Sequence, residues 1–329
     1  ESDAGSGGDA VSDDGDGAEG EEFGATARAV EDGEGAGRRS LSRSTVSQRQ
    51  IQERLPRSAP DALSYEPGVY IQQTAHGQAS PYVRGMTGQQ VVHLFDGVRM
   101  NNGIYRQGPN QYFFTVDSQN LERLELSRGC ASTRYGSDAL GGAILAFPVR
   151  PVVDPENEGW RFRPRLTGKF ASADLEVGGR GELGASVDSR TGVLAGGGYR
   201  RAGLLTSGGM VSNEGHLEPQ VPRFEDDGKT QLGTGFREAT FDARLDHRLR
   251  SGLTATGAVY GFRQYDAPRT DQCPPPYAPE SECLSIEKQF RTLGYLALRG
   301  DAGKSLEEVE IILSWQNHHE QRRRERPLS

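Results

Sequence analysis

The sequence predicts an α+β domain followed by antiparallel strands of an incomplete transmembrane β-barrel. The first observation is the stretch 121–147, in which a strand with alternating apolar residues leads through a turn of small residues into a second strand. The second is a regular alternation of apolar and charged residues that begins near Trp160. The third is that short and long connections alternate between these later strands.

Residues 1–43 form an acidic tail that is predicted to be disordered. The chain has 329 residues and a net charge of -8, and no Lys or Arg precedes Arg28. Gly, Asp, Glu and Ala dominate the tail, and such a composition cannot bury enough apolar surface to offset the entropy of ordering. We expect no nucleic-acid partner, because phosphate binding requires a basic face. Since the chain begins at Glu1 without an apolar leader, we expect that a signal peptide was removed or is not included.

The sequence predicts no transmembrane helix, because it contains no run of about 18 apolar residues. A transmembrane strand needs only about 10 residues with every second one apolar, and that pattern is compatible with a polar average composition. The sequence is therefore compatible with a membrane protein that crosses the bilayer with strands.

Residues 44–150 are predicted to form an α+β unit of about 100 residues, which is large enough for its own core. Ser47 and Gln50 have the spacing of a capping box, which predicts a short helix through Leu55. A second short helix is expected over 59–65, because a proline lies in its first turn and Pro-Gly follows its end. The strands expected in this unit are Val69–Gln72, Tyr82–Arg84, Val91–Phe95, Glu122–Ser127 and Ala143–Phe147.

Four motifs follow one another in this unit: Pro67-Gly68-Val69, Arg84-Gly85, the run Val91–Arg99 and the stretch 121–147. Asp-Gly and Gly-Gly alone mark turns in any protein, so the ordered set matters more than any one motif. In this order and spacing the set resembles the plug domain of TonB-dependent outer-membrane receptors. The resemblance covers roughly residues 44–150, and it implies a compact plug that lies inside a barrel.

Residues 151–159 are expected to be a linker that contains prolines, and residues 160–329 the first part of the barrel. The expected strands, about seven in number, are Trp160–Ala171, Val177–Asp188, Val193–Arg201, Arg237–Leu249, Leu253–Gln264, Lys288–Arg299 and Leu306–His318. A soluble sandwich has the same alternation with its apolar face turned inward, but the connection lengths favour the barrel. Because bacterial barrels have an even number of at least about 8 strands, we infer a truncated barrel.

Cys273 and Cys283 flank a proline-rich loop and are predicted to form a disulfide. Such a bridge would stabilise the loop by roughly 2–3 kcal/mol and would indicate an oxidising compartment. Metal binding is the alternative, but two thiolates without a nearby His or a second Cys pair make a poor zinc site. The third cysteine, Cys130, is expected to be buried as a small apolar residue.

The resemblance implies energy-coupled uptake at the outer membrane of a Gram-negative bacterium. We therefore expect a protein that is not an enzyme and that binds no cofactor. The implied ligand is scarce, such as an iron-siderophore, haem or cobalamin. The implied partners are a TonB-type inner-membrane energy-coupling protein, outer-membrane lipid and that small ligand. The coupling protein adds a strand beside a segment called the TonB box. The candidate for this box is poor in β-branched residues, with a plain linker as the alternative, and consists of Phe23, Gly24, Ala25, Thr26 and Ala27.

The candidate site residues belong to two groups. Arg84 and Arg128 each precede a glycine and resemble the plug arginines that form a latch with acidic residues of the barrel wall. Solvated arginines at strand ends are the alternative. The expected ligand-binding residues on the outward apices of the plug are His76, Gln78, Asn101, Asn102, Tyr105, Arg106, Asn110 and Tyr112. An ordinary loop rich in turn-forming residues is the alternative for this second group. We predict no catalytic residue and no metal site.

Two other function classes are compatible with the sequence. One is an outer-membrane binding protein that does not transport, which fits the weak TonB box. The other is a soluble periplasmic β-rich binding module, in which the alternating faces pack as a sandwich.

Overall fold

The computed structural model describes residues 42–100, 112–156, 159–210, 224–250, 252–269, 283–300 and 309–325. The chain divides into residues 1–39 and residues 40–329, and every described residue belongs to the second unit. Apart from Ser42 and Arg43, which begin the first strand, the acidic tail lies outside the described residues. Its disorder therefore stays a prediction. Within the described ranges, no helix is both long enough and apolar enough to cross a membrane.

The described residues up to Arg150, called the plug below, form a five-stranded sheet, a separate hairpin and two short helices. The strands are β1 Ser42–Ser47, β2 Val69–Ala75, β3 Gln78–Val83, β4 Val91–Phe95, β5 Val98–Arg99, β6 Leu121–Arg128 and β7 Gly142–Pro148, and the helices are α1 Gln48–Arg54 and α2 Ser132–Tyr135. The sheet order is β1-β6-β7-β4-β5, in which only β4 and β7 run parallel. β2 and β3 pair as the hairpin. Four of the predicted strands coincide with β2, β4, β6 and β7, whereas Tyr82–Arg84 overlaps β3 only at Tyr82 and Val83 because Arg84 already lies in a turn. β1 and β5 were not expected.

The predicted capping box opens α1. The backbone N–H of Gln50 donates to Ser47 Oγ at 3.4 Å, and the backbone N–H of Ser47 donates to Gln50 Oε1 at 2.8 Å. The helix ends at Leu55, which has a left-handed conformation with φ 46°. The second expected helix is only a 3₁₀ turn, Pro60–Leu63. It is short because the chain must turn again at Pro67 and Gly68 to enter β2.

The apolar core of the plug is continuous with the sheet that follows it. Among the largest fully buried plug side chains are Leu63, Phe113, Leu121, Leu124, Leu126 and Ile144. The same cluster includes Tyr260, Leu293, Tyr295 and Ala297 from beyond residue 160. The free energy gained from the hydrophobic effect grows with the apolar surface area that is buried. Hydrophobic packing therefore holds the plug to that sheet in addition to the polar contacts.

The described residues beyond Trp160 form one antiparallel sheet of seven strands, called the wall below. Its strands are β8 Arg161–Ala171, β9 Glu176–Ser186, β10 Thr191–Ala202, β13 Phe236–Arg250, β14 Leu253–Pro268, β15 Cys283–Gly300 and β16 Val309–Glu325. A small hairpin of β11 Leu205–Thr206 and β12 Thr230–Gln231 interrupts the link between β10 and β13. The order β16-β15-β14-β13-β10-β9-β8 leaves β8 and β16 at the two edges. The described wall is not closed, so the predicted class of an incomplete barrel is confirmed.

The two faces of the wall differ as the alternation predicted. On β13, Asp242, Arg244 and Asp246 are buried on the inner face, whereas Phe241 and Leu245, which alternate with them, are exposed on the other face. The apolar side chains on that outer face reach 88% exposure at Leu166. A sandwich would bury its apolar face and expose its charged one. The structure has the opposite arrangement and does not support a soluble sandwich.

The connections give the wall two different ends. The links at one end, called the turn end, are 187–190, 251–252 and 301–308, and those at the other, called the loop end, are 172–175, 203–235 and 269–282. The two longest links lie at the same end. Short and long connections therefore alternate from β9 onward, whereas the first loop-end link, 172–175, is as short as the turn 187–190.

Cys130 is exposed, so its predicted burial is wrong. Gly129, with φ 99°, turns the chain at the end of β6 and directs Cys130 outward, and Ala131 takes the fully buried position instead. Cys273 and the side chain of Cys283 lie outside the described residues. Their disulfide stays a prediction.

Candidate functional site between the plug and the wall

Asp96 lies in a tight turn that projects from the plug sheet. Phe95 and Val98 pair across β4 and β5, which leaves two residues for the turn. Asp96 and Gly97 both have positive φ, 47° and 84°. This is the conformation of a type I′ hairpin turn, for which Asp-Gly is a preferred sequence. The local sequence therefore builds the turn that presents Asp96 to the wall.

The Asp96 carboxylate is buried, with 2% of the residue exposed, and three wall side chains donate to it. Its Oδ2 accepts hydrogen bonds from Arg244 Nη1 at 2.7 Å, from Arg299 Nη1 at 3.2 Å and from the Tyr295 hydroxyl. Its Oδ1 lies 3.4 Å from Nη2 of Arg150, which belongs to the plug. Removing the carboxylate would leave buried cations without their partner, which is strongly destabilising. Asp96 thus joins the plug to β13 and β15.

The surroundings of Asp96 keep its carboxylate ionised. Burial alone would raise the pKa of Asp96, but Arg244 and Arg299 outweigh burial and lower the pKa to about 2. Each arginine also has an acidic partner on the wall, Asp246 at 3.0 Å from Arg244 and Glu310 at 2.7 Å from Arg299. Because the pKa is depressed, this contact contributes fully above the ordinary value of 3.8 and is lost as the pH falls toward about 2.

Asp117 is a second carboxylate that joins the plug to the wall. Its Oδ1 accepts from the backbone N–H of Gln119 at 2.9 Å and so caps the 3₁₀ turn before β6. Its Oδ2 accepts from Arg180 Nη1 at 3.1 Å and from Thr240 Oγ1 at 2.7 Å. Arg180 also forms an ion pair with Asp242. One plug carboxylate therefore connects with β9 and β13.

Arg180 reaches Asp242 by crossing the strand that lies between them. Arg180 is on β9 and Asp242 on β13, and β10 separates these strands. At the crossing point β10 carries Gly196, where a Cβ would overlap the Arg180 guanidinium. At Gly198 a Cβ would lie 2.9 Å from Thr240 Oγ1. The glycine run of β10 therefore makes room for an ion pair that spans three strands.

Wall cations also bind carbonyl groups of the plug. Lys169 Nζ donates to the Pro56 carbonyl at 3.2 Å, and Arg200 Nη1 donates to the carbonyl of Arg57. Glu238 orients Arg200 through two hydrogen bonds of 3.0 and 2.8 Å. These bonds fix the segment after α1 through its backbone, so the identities of its side chains could not have revealed them.

The tip of the β2–β3 hairpin is held at the loop end of the wall. Gln264 Nε2 donates to the Gly77 carbonyl at 2.9 Å, and the backbone N–H of Gly235 donates to His76 Nδ1 at 3.3 Å. The other ring nitrogen of His76, Nε2, lies 2.9 Å from Asp174 Oδ2, and both side chains are almost fully buried. Burial lowers the pKa of His76, and the attraction of Asp174 only partly opposes this.

The space between plug and wall near Asp117 is narrow. Two cavities of about 30 and about 20 Å³ lie there, and Asp117 and Thr240 line both. Each has room for little more than a water molecule or two. In the part of the chain that the structure describes, no three His, Cys, Asp or Glu side chains converge as a metal site would require. The site is therefore suited to docking the plug through charge pairs.

The structure describes no acidic wall partner for Arg84, and its role in a latch stays a prediction. Arg84 is exposed in the turn after β3 and has φ 52°. Within the described ranges, no carboxylate forms an ion pair with it. Gly85 follows with φ 77°, so this Arg-Gly pair forms a turn at the end of β3.

Arg128 is buried as a latch residue would be, and its described partners belong to the plug, so its pairing with the wall stays a prediction. Its Nε donates to the Pro67 carbonyl at 2.6 Å, and its Nη2 donates to Ser44 Oγ at 2.9 Å and lies 3.4 Å from Glu66 Oε2. Because the end of β6 pairs with the start of β1, Arg128 meets β1 before it could reach the wall. It clasps β1 to the rest of the plug.

The described ligand candidates do not form an open site. Gln78 and Tyr112 are 3% and 4% exposed, and His76 is used in the hairpin contact described above. The Tyr112 hydroxyl donates to Glu320 Oε2 at 2.7 Å. Their ligand contact stays a prediction. The candidates that lie outside the described residues are Asn101, Asn102, Tyr105, Arg106, Asn110 and the TonB box 23–27.

The sequence analysis missed the docking residues, although some features of the sequence point to them. Asp96 belongs to the Asp-Gly motif that helped to define the resemblance, but its charge was not used. Arg180 and Arg244 are buried at inward positions of alternating strands, and Arg299 is half-buried at another, where a charge needs a partner. The alternation could have shown that the wall needs acidic partners, but not which plug residues supply them.

Comparisons with known proteins agree with this architecture. Residues 38–143 match the family model of the TonB-dependent receptor plug domain. Over 102 residues the chain is 32% identical to a vitamin B12 transporter of Photobacterium profundum, in an alignment that covers 31% of this chain and 16% of that protein. Over 121 residues it is 29% identical to the ferrichrome outer membrane transporter/phage receptor of Escherichia coli, in an alignment that covers 35% of this chain and 15% of that protein.

The fold of the described chain is similar to that of a solved receptor. The ferric enterobactin receptor of Pseudomonas aeruginosa, solved in complex with enterobactin, aligns with a TM-score of 0.59 and 16% identity. The alignment covers 86% of this chain and 42% of that one. Residues 38–143 therefore match the plug domain found in TonB-dependent receptors, antiparallel wall strands follow them, and the chain spans less than half the length of these proteins.

Replacing Asp96 with Asn should loosen the plug from the wall. The amide keeps the shape of the side chain but leaves Arg244 and Arg299 without their shared charge, which should cost roughly 2–5 kcal/mol of docking free energy. Hydrogen exchange of the β4 amides, measured by mass spectrometry on the full chain in detergent, should accelerate. The matched control is Asp138→Asn, which breaks an exposed 2.6 Å ion pair with Arg99 and should change little. Equal effects of the two variants would contradict the role of Asp96.

The two Arg-Gly arginines should differ sharply in their effect on stability. Arg128→Gln removes buried hydrogen bonds to β1 and should destabilise it by about 2–4 kcal/mol. Arg84→Gln changes an exposed side chain and should stay within about 0.5 kcal/mol. Exchange rates of the β1 amides measure both variants, and a β1 that stays protected in Arg128→Gln would show that the clasp is unimportant.

Gly196→Ala should displace Arg180 from its position across β10. The added methyl group overlaps the guanidinium, so we expect a loss of about 1–3 kcal/mol in urea unfolding followed by tryptophan fluorescence. Gly181→Ala is the matched control, because no heavy atom lies within 4 Å of its added Cβ. An unfolding midpoint that moves no further for Gly196→Ala than for this control would refute the crossing.

Proposed function

We propose that this chain is the plug and the first wall strands of an outer-membrane receptor that takes up a scarce ligand with energy from a TonB-type protein. The observation that carries the proposal is the opposite character of the two wall faces. The inner face is charged and binds plug carboxylates Asp96 and Asp117, whereas the outer face is apolar and exposed. A strand with lipid outside and polar groups inside has this character.

The dimensions of the wall support its placement in a membrane. The shortest of its seven main strands have 11 residues, which is enough for a tilted strand to cross the hydrocarbon layer. Trp160 and Phe162 stack on each other at 5.7 Å on the outer face near the turn end, as expected of an aromatic belt at a membrane interface. With short turns on the periplasmic side, the loop end faces the outside of the cell.

The proposed ligand is a cobalamin or an iron-siderophore. One relative is described as a vitamin B12 transporter and another as a ferrichrome transporter, and the similar solved receptor binds enterobactin. Haem, the third candidate, has no support from these proteins. A ligand of this kind would bind above the plug at the loop end, next to the hairpin tip that carries His76.

The proposed energy source is a TonB-type protein that binds the segment 23–27. A pull on this segment would be transmitted to β1, which Arg128 clasps to β6 and to the segment before β2. The plug would then have to leave at least some of its contacts with the wall, among them those of Asp96. The buried charge pairs supply the resistance that must be overcome before a passage opens.

Uptake measurements on the gene product that contains this chain test the proposal. In a Gram-negative strain without its own receptors, we expect accumulation of labelled cobalamin or a labelled ferric siderophore that depends on the TonB protein. Deleting residues 23–27 should abolish accumulation and leave surface binding of the ligand intact. Binding without any accumulation in the intact protein would instead indicate a receptor that does not transport.

Membrane extraction provides an independent check of the wall. A protein whose apolar outer face is in lipid should remain with the membrane in high salt and should be released only by detergent. Release by salt alone would rule out the proposed membrane placement.

A further inference from the structure

His76 lies where the plug meets several segments at the loop end of the wall. Asp174 comes from the turn between β8 and β9, and its carbonyl accepts from the backbone N–H of Gly203 at 2.7 Å. Gly235 directly precedes β13, and Phe236 packs its ring edge-on against the imidazole at 5.5 Å. These segments, residues 172–175, 202–206 and 230–236, are called the loop base below. One buried histidine therefore contacts the turn between β8 and β9 and the start of β13, and Asp174 connects it with the segment after β10.

The hydrogen bond at Nδ1 of His76 indicates which ring nitrogen carries the proton. Nδ1 accepts from the backbone N–H of Gly235, so it carries no proton. The proton of the neutral ring is then on Nε2, which faces Asp174 Oδ2 at 2.9 Å. A protonated imidazole has donors at both nitrogens and accepts nothing. Protonation would therefore set two N–H groups, those of Nδ1 and Gly235, against each other in a buried site.

The charged groups around His76 act on a protonated ring in opposite directions. Asp174 attracts it, whereas Arg57 from the plug and Arg200 from β10 repel it. Arg200 is itself neutralised by Glu238 at 2.8 Å and approached by Glu176 at 3.6 Å. Burial adds to the repulsion because a charged ring loses its hydration there. Docking of the hairpin tip thus favours the neutral ring.

We propose that His76 is a pH-sensitive clasp that releases the β2–β3 hairpin tip from the loop base when its ring is protonated. The pKa of His76 is lowered, chiefly by burial, so the docked state binds the proton less tightly than the free tip does. The contact therefore contributes fully above the ordinary value of 6.5 and is lost as the pH falls below it. The clasp requires only the docked plug and does not depend on transport.

Hydrogen exchange of the full chain in detergent tests the clasp at about pH 8 and about pH 5, a range in which histidine is the side chain that ordinarily titrates. After correction for intrinsic rates, exchange at 75–78 and 235–236 should be several-fold faster at the lower pH. The β4 amides beside Asp96 serve as an internal control and should not change, because the pKa of Asp96 is about 2.

His76→Gln should abolish the pH difference at the hairpin tip, whatever its absolute exchange rate. His319→Gln is the matched control, since His319 is an exposed histidine on β16, and it should leave the difference unchanged. A difference that persists in His76→Gln, or that is absent from the unmodified protein, would overturn the proposal. If His76→Gln fails to fold, exchange of the imidazole C2 hydrogen in the unmodified protein decides. A pKa of His76 at or above 6.5 would then refute the clasp.

Discussion

The contact between Asp96 and the wall arginines is the interaction on which the assembly of plug and wall depends. On the inner face Arg244 is buried and Arg299 is half-buried, and a buried cation is tolerated only when its charge is matched and its hydrogen bonds are made. Wall residues supply part of that match through Asp246 and Glu310. Asp96 completes it. The plug therefore does more than fill space, because the inner face of the wall is electrostatically incomplete without it.

The same requirement explains the direction of the charge pairing. The resemblance implied arginines on the plug and carboxylates on the wall, whereas the described contacts join the plug carboxylates Asp96 and Asp117 to wall arginines. In the described residues, Arg128 uses its guanidinium to bind carbonyl and hydroxyl groups of the plug. Since either sign of charge can be placed on either partner, a pattern of arginines does not reveal which charges pair.

The sequence predicted the wall better than the docking site, and the reason is physical. A strand between lipid and a polar interior must alternate with a period of two, so every residue of β13 carries the signal. The Asp96-Gly97 turn is equally local, and its two residues suffice to predict its geometry. The bond from Arg200 to the Arg57 carbonyl joins residues that are far apart in sequence and depends on a backbone atom. No local pattern encodes such a contact, which is why His76 was expected at a ligand and not against Asp174.

The contacts that dock the plug fall into two kinds with different responses to the surroundings. Asp96 and its arginines keep their charges over the whole physiological range, so this contact yields to force or to competition but not to a moderate change of pH. His76 is docked in its neutral form, and its contact weakens when the medium becomes acidic. Because the first contact connects with β13 and β15 toward the turn end, and the second with the loop base, acid would loosen the hairpin tip while the inner charge pairs hold. The structure therefore permits the outer surface of the plug to change without the plug leaving the wall.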